Sequence, residues 1–245
     1  MYIENPKTKG SGIYCAIPQH NSHCNMNCKD CFCQNGRSYL EPLSENLPNI
    51  PTKTIIDKYV IRVNDGLDSG QNIQKVISTT YKWPNKFYNT SRPDSIKCLS
   101  KHGPVVLTLN PSTMTDCSFY NSNIFDKYGL VDENIMFVRF RANMWNQSLL
   151  RNAVKVWCTN HNIPLVITHM RYYDNEPKKH GYSDMYTYKK HVLNSYWSIN
   201  KIGWDYIYDP YAENPLVSTC GFSYSSFLCK HCGVCLREYW RSIDS

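Results

Sequence analysis

Long apolar stretches are missing from this 245-residue chain: no run approaches the roughly eighteen residues that a membrane span needs. The opening "MYIENPKTKGSG" has neither the apolar core of a signal peptide nor the Arg-rich amphipathic pattern of a transit peptide. These absences lead us to expect a soluble, cytoplasmic protein with no membrane partner. Charge is also scarce, at 19% Asp, Glu, Lys and Arg, and no block of five or six like charges appears. With 42% hydrophobic residues this excludes general disorder. There is no internal repeat of fixed period and no low-complexity tract. The small charge imbalance, 27 basic against 20 acidic residues, favours anionic partners such as nucleic acid, nucleotides or phosphorylated substrates.

Twelve cysteines stand out against this background. Glutathione keeps cytoplasmic thiols reduced, so this number argues for metal rather than disulfides. Cys15, Cys24, Cys28, Cys31 and Cys33 lie near the start, and Cys220, Cys229, Cys232 and Cys235 near the end. Cys98, Cys117 and Cys158 lie between them and read as buried small hydrophobes, while Cys15 falls in the first strand.

The long middle reads as alternating strand and helix. "KYVIRVND", "NKFYNTS", "PVVLTLN", "NIMFVRFRAN" and "IPLVITHMRYY" are β-rich runs bounded by turn residues. "QNIQKVISTTYK" and "NQSLLRNAVKVWCTNHN" carry helical spacing. Strands beginning near Ile13, Tyr59, Lys86, Val105, Met136 and Leu165 make about six β/α units with parallel pairing and right-handed crossovers. The fold class expected is α/β, a partial or open barrel over residues 1–200 with a short Cys-rich extension at 201–245. Residues 174–200, polar and tyrosine-rich, are expected to form a loop and helix over one end of the barrel.

Cys24, Cys28 and Cys31 form a C-x3-C-x2-C triplet. Thiolates this close on one loop can wrap one face of an iron–sulfur cubane, each on a different iron, and cubanes usually take four Cys ligands. A triplet without a fourth partner leaves one iron open, and an open metal position is where chemistry is done.

On this triplet, placed after the strand "GIYCAIP" and before five further β/α units, the chain resembles the radical S-adenosylmethionine (SAM) enzymes over roughly residues 12–175. The resemblance implies a partial (β/α)6 barrel and a [4Fe-4S] cluster held by Cys24, Cys28 and Cys31. It further implies that S-adenosylmethionine chelates the open iron and is cleaved reductively, and that a 5′-deoxyadenosyl radical abstracts hydrogen from substrate. An electron donor such as a flavodoxin or ferredoxin would be a partner. Two features depart from the family pattern: Asp30 stands where many members have an aromatic residue, with Phe32 following, and Cys33 is an additional thiol that reads as a buried small residue. The glycine-rich stretch that meets the SAM amino group corresponds to "NDGLDSG", making Asn64, Asp65 and Gly66 cofactor candidates, while Asp68 or Ser69 reads as a helix cap. Ligands bind at the carboxyl ends of parallel strands, which adds Asn110, Arg139, Arg141, Asn143, His169 and Arg171 as candidates. Of these, Arg141 is assigned to the SAM carboxylate and Asn110 to the ribose.

The tail has a C-x8-C-x2-C-x2-C set, Cys220, Cys229, Cys232 and Cys235, enough to close a site around zinc or a cubane. Its position is similar to the auxiliary-cluster (SPASM and twitch) extensions of radical SAM enzymes, and a second [4Fe-4S] cluster is preferred to structural zinc. His231 reads as a solvated loop residue. The substrate is left open, with a tilt toward a nucleotide or nucleic acid. The alternative class is a non-catalytic, zinc-dependent nucleic-acid-binding protein in which Cys28, Cys31, Cys232 and Cys235 share one zinc. A two-cluster electron carrier is a third.

Overall fold

The computed structural model describes residues 1–22, 24, 26, 28, 31, 38–131, 133–192, 195–221 and 229–244, apart from the side chains of Cys117 and Lys230. Six β/α units open with strands β1 (Ile13–Ala16), β2 (Val60–Val63), β3 (Lys86–Thr90), β4 (Val105–Leu109), β5 (Ile135–Ala142) and β6 (Leu165–His169). These strands match the six apolar runs. A seventh strand, Val217–Thr219, comes from the tail and pairs in parallel with β6. All seven lie in one parallel sheet in the order β1 to β6 followed by the tail strand, curled into a half-barrel.

Helices α1 (Lys53–Lys58), α2 (Ile73–Thr80), α3 (Pro93–Leu99), α4 (Asn123–Tyr128) and α5 (Gln147–Ala153) form the crossovers. Their buried residues, among them Ile56, Val76, Ile96, Ile124 and Leu150, join the outward side chains of the strands in the larger core. Right-handed crossovers place these helices on the convex side. The helix expected over 146–162 is α5 followed by a π-helical segment, Val154–Asn160, that buries Val154, Val156, Trp157 and Cys158. Cys98 in α3 is half-buried rather than fully enclosed.

Residues 174–200 differ from the expected loop and helix. After β7 (Arg171–Tyr172), only a single turn, α6 (Glu176–Lys179), is helical. The remainder is strand: β8 (Tyr186–Lys189) and β9 (Tyr196–Ile199) pair antiparallel with β7 in the order β7-β9-β8. The density of tyrosine and tryptophan here, Tyr172, Tyr186, Tyr188, Tyr196 and Trp197, favours a half-buried pleated sheet over a helix. The chain continues through α7 (Lys201–Tyr208), the seventh sheet strand β10 (Val217–Thr219), the turn α8 (Cys229–Cys232) and the C-terminal helix α9 (Val234–Asp244). Helix α9 lies on the concave side, where Val234 and Tyr239 join Ile13, Val60, Phe87, Val106, Phe137 and Val166 in a second core. The region expected as an appendage thus adds a strand to the sheet and a plug to its hollow. Among the described residues no helix is long and apolar enough to cross a membrane.

Candidate functional site

Side chains two apart on a strand share a face, so the concave side is layered. Its lower layer is the apolar ring closed by α9. Two residues further along each strand come Cys15, Arg62, Asn89, Thr108, Arg139 and Thr168, a polar layer just below the carboxyl ends. Arg139 donates from Nη1 to Asn89 Oδ1 at 3.3 Å and to Thr108 Oγ1 at 3.5 Å, and its guanidinium lies 5.6 Å from the Phe137 ring. Arg62 donates from Nη2 to Asp65 Oδ1 at 2.6 Å and to Cys15 Sγ at 3.4 Å. Asn5 donates to the other oxygen of Asp65. Burial works to raise the Asp65 carboxyl, but the Arg62 charge and these hydrogen bonds outweigh it and hold the group below its ordinary value. Burial pushes the Cys15 thiol up to about 12.

Three of the four tail thiols meet this polar layer. Cys220 follows β10, its N–H donating to Ile167 O at 2.8 Å, and packs with Cys232, Cys235 and Leu236 on the concave core. Cys235 hydrogen-bonds with Arg139 and feels the charge of Cys220, and Cys229 lies within electrostatic reach of Arg62, Cys220 and Cys235. Burial raises both thiols, that of Cys229 to about 11, against the pull of the two arginines. Cys232 turns instead toward Thr219 O, 3.8 Å away. His231 is exposed, as read from the sequence.

The first cysteine group lies on the connection after β1, at the rim. Cys24, Cys28 and Cys31 are each half-buried, and the Cys31 N–H donates to Cys28 O at 3.1 Å to close the turn between them. Cys24 packs on Ile17, Leu40 and Leu67. Burial raises its thiol, and Asp68, Cys28 and Cys31 stand near enough to add to the shift. Asp30, Phe32 and Cys33 lie outside the described residues. Among the described residues no group of three or more His, Cys, Asp or Glu is arranged to hold a single metal ion. A cubane spreads its thiolates over several irons and asks for wider spacing than a single zinc with sulfurs at about 2.3 Å.

Beside the triplet, the turn after β2 is tightly built. Asn64 is left-handed at φ 60°, its N–H donating to Ala16 O at 2.7 Å and its Nδ2 to Ser69 Oγ at 3.1 Å. Gly66 holds φ 106°, where a Cβ would be strained. The capping role read for Asp68 and Ser69 does not hold: the N-cap of α2 is Asn72. Asp68 reaches across to β3 instead, accepting from Thr90 Oγ1 at 2.8 Å, Ser91 N at 2.6 Å and Gly70 N at 2.8 Å. Burial nonetheless raises its carboxyl. Gln19, buried on the loop after β1, donates to the Asp68 carbonyl at 2.9 Å. Two acceptors here, Asn64 Oδ1 and Gln19 Oε1, are buried without a partner among the described residues. Leu67 and Asp68 of this turn lie by Cys24, and orphaned acceptors of this kind suit an ammonium donor.

The other candidates are placed unequally. Arg141 shares the concave face with Arg139, two residues nearer the mouth. Asp65 is engaged by Arg62 and Asn5 rather than open to a ligand. Asn110 braces its own turn, with Oδ1 accepting from Ser112 Oγ at 2.9 Å and Nδ2 donating to Thr113 Oγ1 at 3.4 Å. Asn143 is buried, donating to Tyr172 Oη at 2.8 Å and accepting from Trp145 N at 3.0 Å. His169 faces the helical layer, 6.1 Å from the Trp204 ring, and burial pushes its imidazole down to about 3. Arg171 lies on the antiparallel sheet, away from the hollow. Gln19 and Arg62 were not singled out from the sequence. Arg62 had the signal that located Arg139, a cation inside an apolar strand.

A cleft of about 520 Å³ adjoins the rim, lined by Met26 of the cysteine loop, Arg92, Met114, Phe119 and Tyr128 among others. The Phe119 and Tyr128 rings stack at 6.1 Å between centroids and 15° between planes. Comparison with family models, curated proteins and solved structures finds no match to this chain.

Proposed function

We propose that the chain is a radical SAM enzyme acting on an anionic substrate of the nucleotide or nucleic-acid class. The observation that carries this reading is the setting of Cys24, Cys28 and Cys31. They lie half-buried on the loop after the first strand of a parallel half-barrel, beside the orphaned acceptors Asn64 Oδ1 and Gln19 Oε1. When bound, a reduced [4Fe-4S] cluster supplies the electron that splits S-adenosylmethionine into methionine and a 5′-deoxyadenosyl radical.

The protein's own groups bind and orient. Asn64 and Gln19 accept from the cofactor's ammonium, Gly66 lets the backbone approach, and Arg141 pairs with its carboxylate. The cleft between Met26, Arg92 and the Phe119–Tyr128 pair takes the adenosyl group. Asn110, braced by its own turn at the carboxyl end of β4, reaches the ribose. In the hollow, Cys220, Cys229 and Cys235, with Cys232 after a rotamer change, hold a second metal centre. Arg62 and Arg139 flank these thiols and offset the negative charge of a four-thiolate metal centre, and the tight C-x2-C-x2-C spacing suits a cubane better than zinc. A flavodoxin or ferredoxin supplies the electron.

Anaerobically purified protein is expected to contain iron and acid-labile sulfide, and to form 5′-deoxyadenosine from S-adenosylmethionine with a strong reductant. Cys28→Ala should lose both that product and about half of the iron (one of two cubanes). Protein that carries only zinc, or iron-loaded protein that leaves S-adenosylmethionine intact, overturns the reading.

A further inference from the structure

The small antiparallel sheet β7-β9-β8 begins one residue after β6, so the topology places it at the same carboxyl-end rim as the cysteine loop. One of its faces is committed to the core. Tyr172, Tyr186 and Ile199 are buried, and Trp145 packs on Tyr172 at 5.1 Å and Tyr186 at 6.3 Å between centroids. The register sets the composition of the other face. Arg171, Ser198 and Thr187 form one cross-strand row, and Tyr196 stands opposite Lys189 in the next. Tyr173 continues that row, its ring 5.9 Å from Tyr196. Arg171 is exposed, with its guanidinium 4.9 Å from the centre of the Tyr196 ring.

This face has the Tyr196 ring on the central strand, Tyr173 and Arg171 on one edge, Lys189 on the other and no carboxylate in either row, while Ser198, between Arg171 and Thr187, is buried. Trp197 and Tyr188 stand in the row of Tyr172 and so belong to the opposite face, where Lys178 covers Trp197 at 5.4 Å. A sheet edge closed by lysine and arginine rather than by apolar side chains is poorly suited to self-association. Rings that offer a π-face with guanidinium and ammonium groups alongside suit unpaired bases joined by phosphates. Three strands span roughly 10 Å, room for two or three bases.

We propose that this outer face binds single-stranded nucleic acid, with bases stacking on Tyr196 and Tyr173 and phosphates pairing with Arg171 and Lys189. The proposal does not rest on the radical SAM reading. It narrows the nucleotide or nucleic-acid class of that reading to single strands.

The test is fluorescence anisotropy on the anaerobically purified full-length chain, without S-adenosylmethionine. The probes are labelled uridine RNA and thymidine DNA of roughly 20 nucleotides and a duplex of the same length. Single strands should bind more tightly than duplex. Tyr196→Ala should weaken binding about tenfold and Tyr196→Phe should restore it. Arg171→Gln, at an exposed position, should lower the salt slope by about 0.7, the value for one phosphate contact on a single strand. Tyr206→Ala, on exposed α7, should change nothing. Equal affinity for duplex, or single-strand binding unchanged in both Tyr196→Ala and Arg171→Gln, overturns the proposal. Because no S-adenosylmethionine is present, its failure is separable from failure of S-adenosylmethionine cleavage.

Discussion

The two cysteine groups occupy opposite physical settings. Cys24, Cys28 and Cys31 lie at the rim, half-buried on a loop, with unpaired acceptors below them and a cleft beside them. The tail cysteines enter the hollow with α9, among apolar side chains and under two arginines whose other bonds are made within the polar layer. A rim site can exchange ligands, whereas an interior site is enclosed by the core and contributes to its stability. The reading predicts that changes at the rim remove chemistry and leave the fold, while changes in the hollow remove the fold.

The largest effect on stability is expected in the interior ion pair. Asp65 and Arg62 have side chains 19% and 11% exposed, so Asp65→Asn leaves a guanidinium short of its partner in a poorly hydrated place. The expected loss is about 3 kcal/mol at neutral pH, read from urea unfolding. A loss under about 1 kcal/mol would mean that water reaches the pair and that the polar layer is open rather than sealed by the tail.

Tyr239→Ala asks the same of the plug. Tyr239 is 2% exposed, lies 6.2 Å from the Phe87 ring and donates to Asn85 Oδ1 at 3.4 Å. Removing it empties the contact between α9 and the concave core, at an expected cost of about 3 kcal/mol. A cost near zero would show that α9 rests loosely in the hollow, and the contrast between rim and interior would fail.

Much of this architecture is legible in the sequence, for a physical reason. A strand covered on both faces must be a continuous apolar run, and six such runs place β1 to β6 within a residue of where they lie. Strand β10 is three residues of ordinary composition, Val-Ser-Thr, and owes its place to pairing with β6 rather than to its own pattern. The β7-β9-β8 sheet was hidden because its outer face is polar and aromatic, so no apolar run marks it. The cysteine triplet is legible as a motif, but its acceptors are not. Gln19 becomes notable only when the fold brings it against Asp68, 49 residues away. Nor does any local signal tell that Cys229 and Cys235 end beside Arg62 and Arg139, since that contact needs the whole tail to fold back.

The smallest effect, and the sharpest comparison, uses two acids three residues apart. Asp65 belongs to the hollow and Asp68 to the rim turn. Arg62 holds the Asp65 carboxyl below its ordinary value of 3.8, so its contribution is complete above 3.8 and is lost as pH falls below it through the folded value. Burial holds Asp68 above 3.8 despite its hydrogen bonds, so the folded state takes up this proton before the unfolded state does. Stability from Asp68 therefore rises as pH falls toward 3.8. At neutral pH Asp68→Asn loses one acceptor, that for Ser91 N, and relieves a buried charge, for a net cost of about 1 kcal/mol or less. On acidification the stability gap between native protein and Asp65→Asn should close, while the gap to Asp68→Asn should widen. Urea midpoints at pH 7, 5 and 4 read the Asp68 sign and further points at about pH 3 and below read the Asp65 sign, and gaps that move in the same direction would show that the two carboxylates share one environment, removing the distinction between rim and hollow.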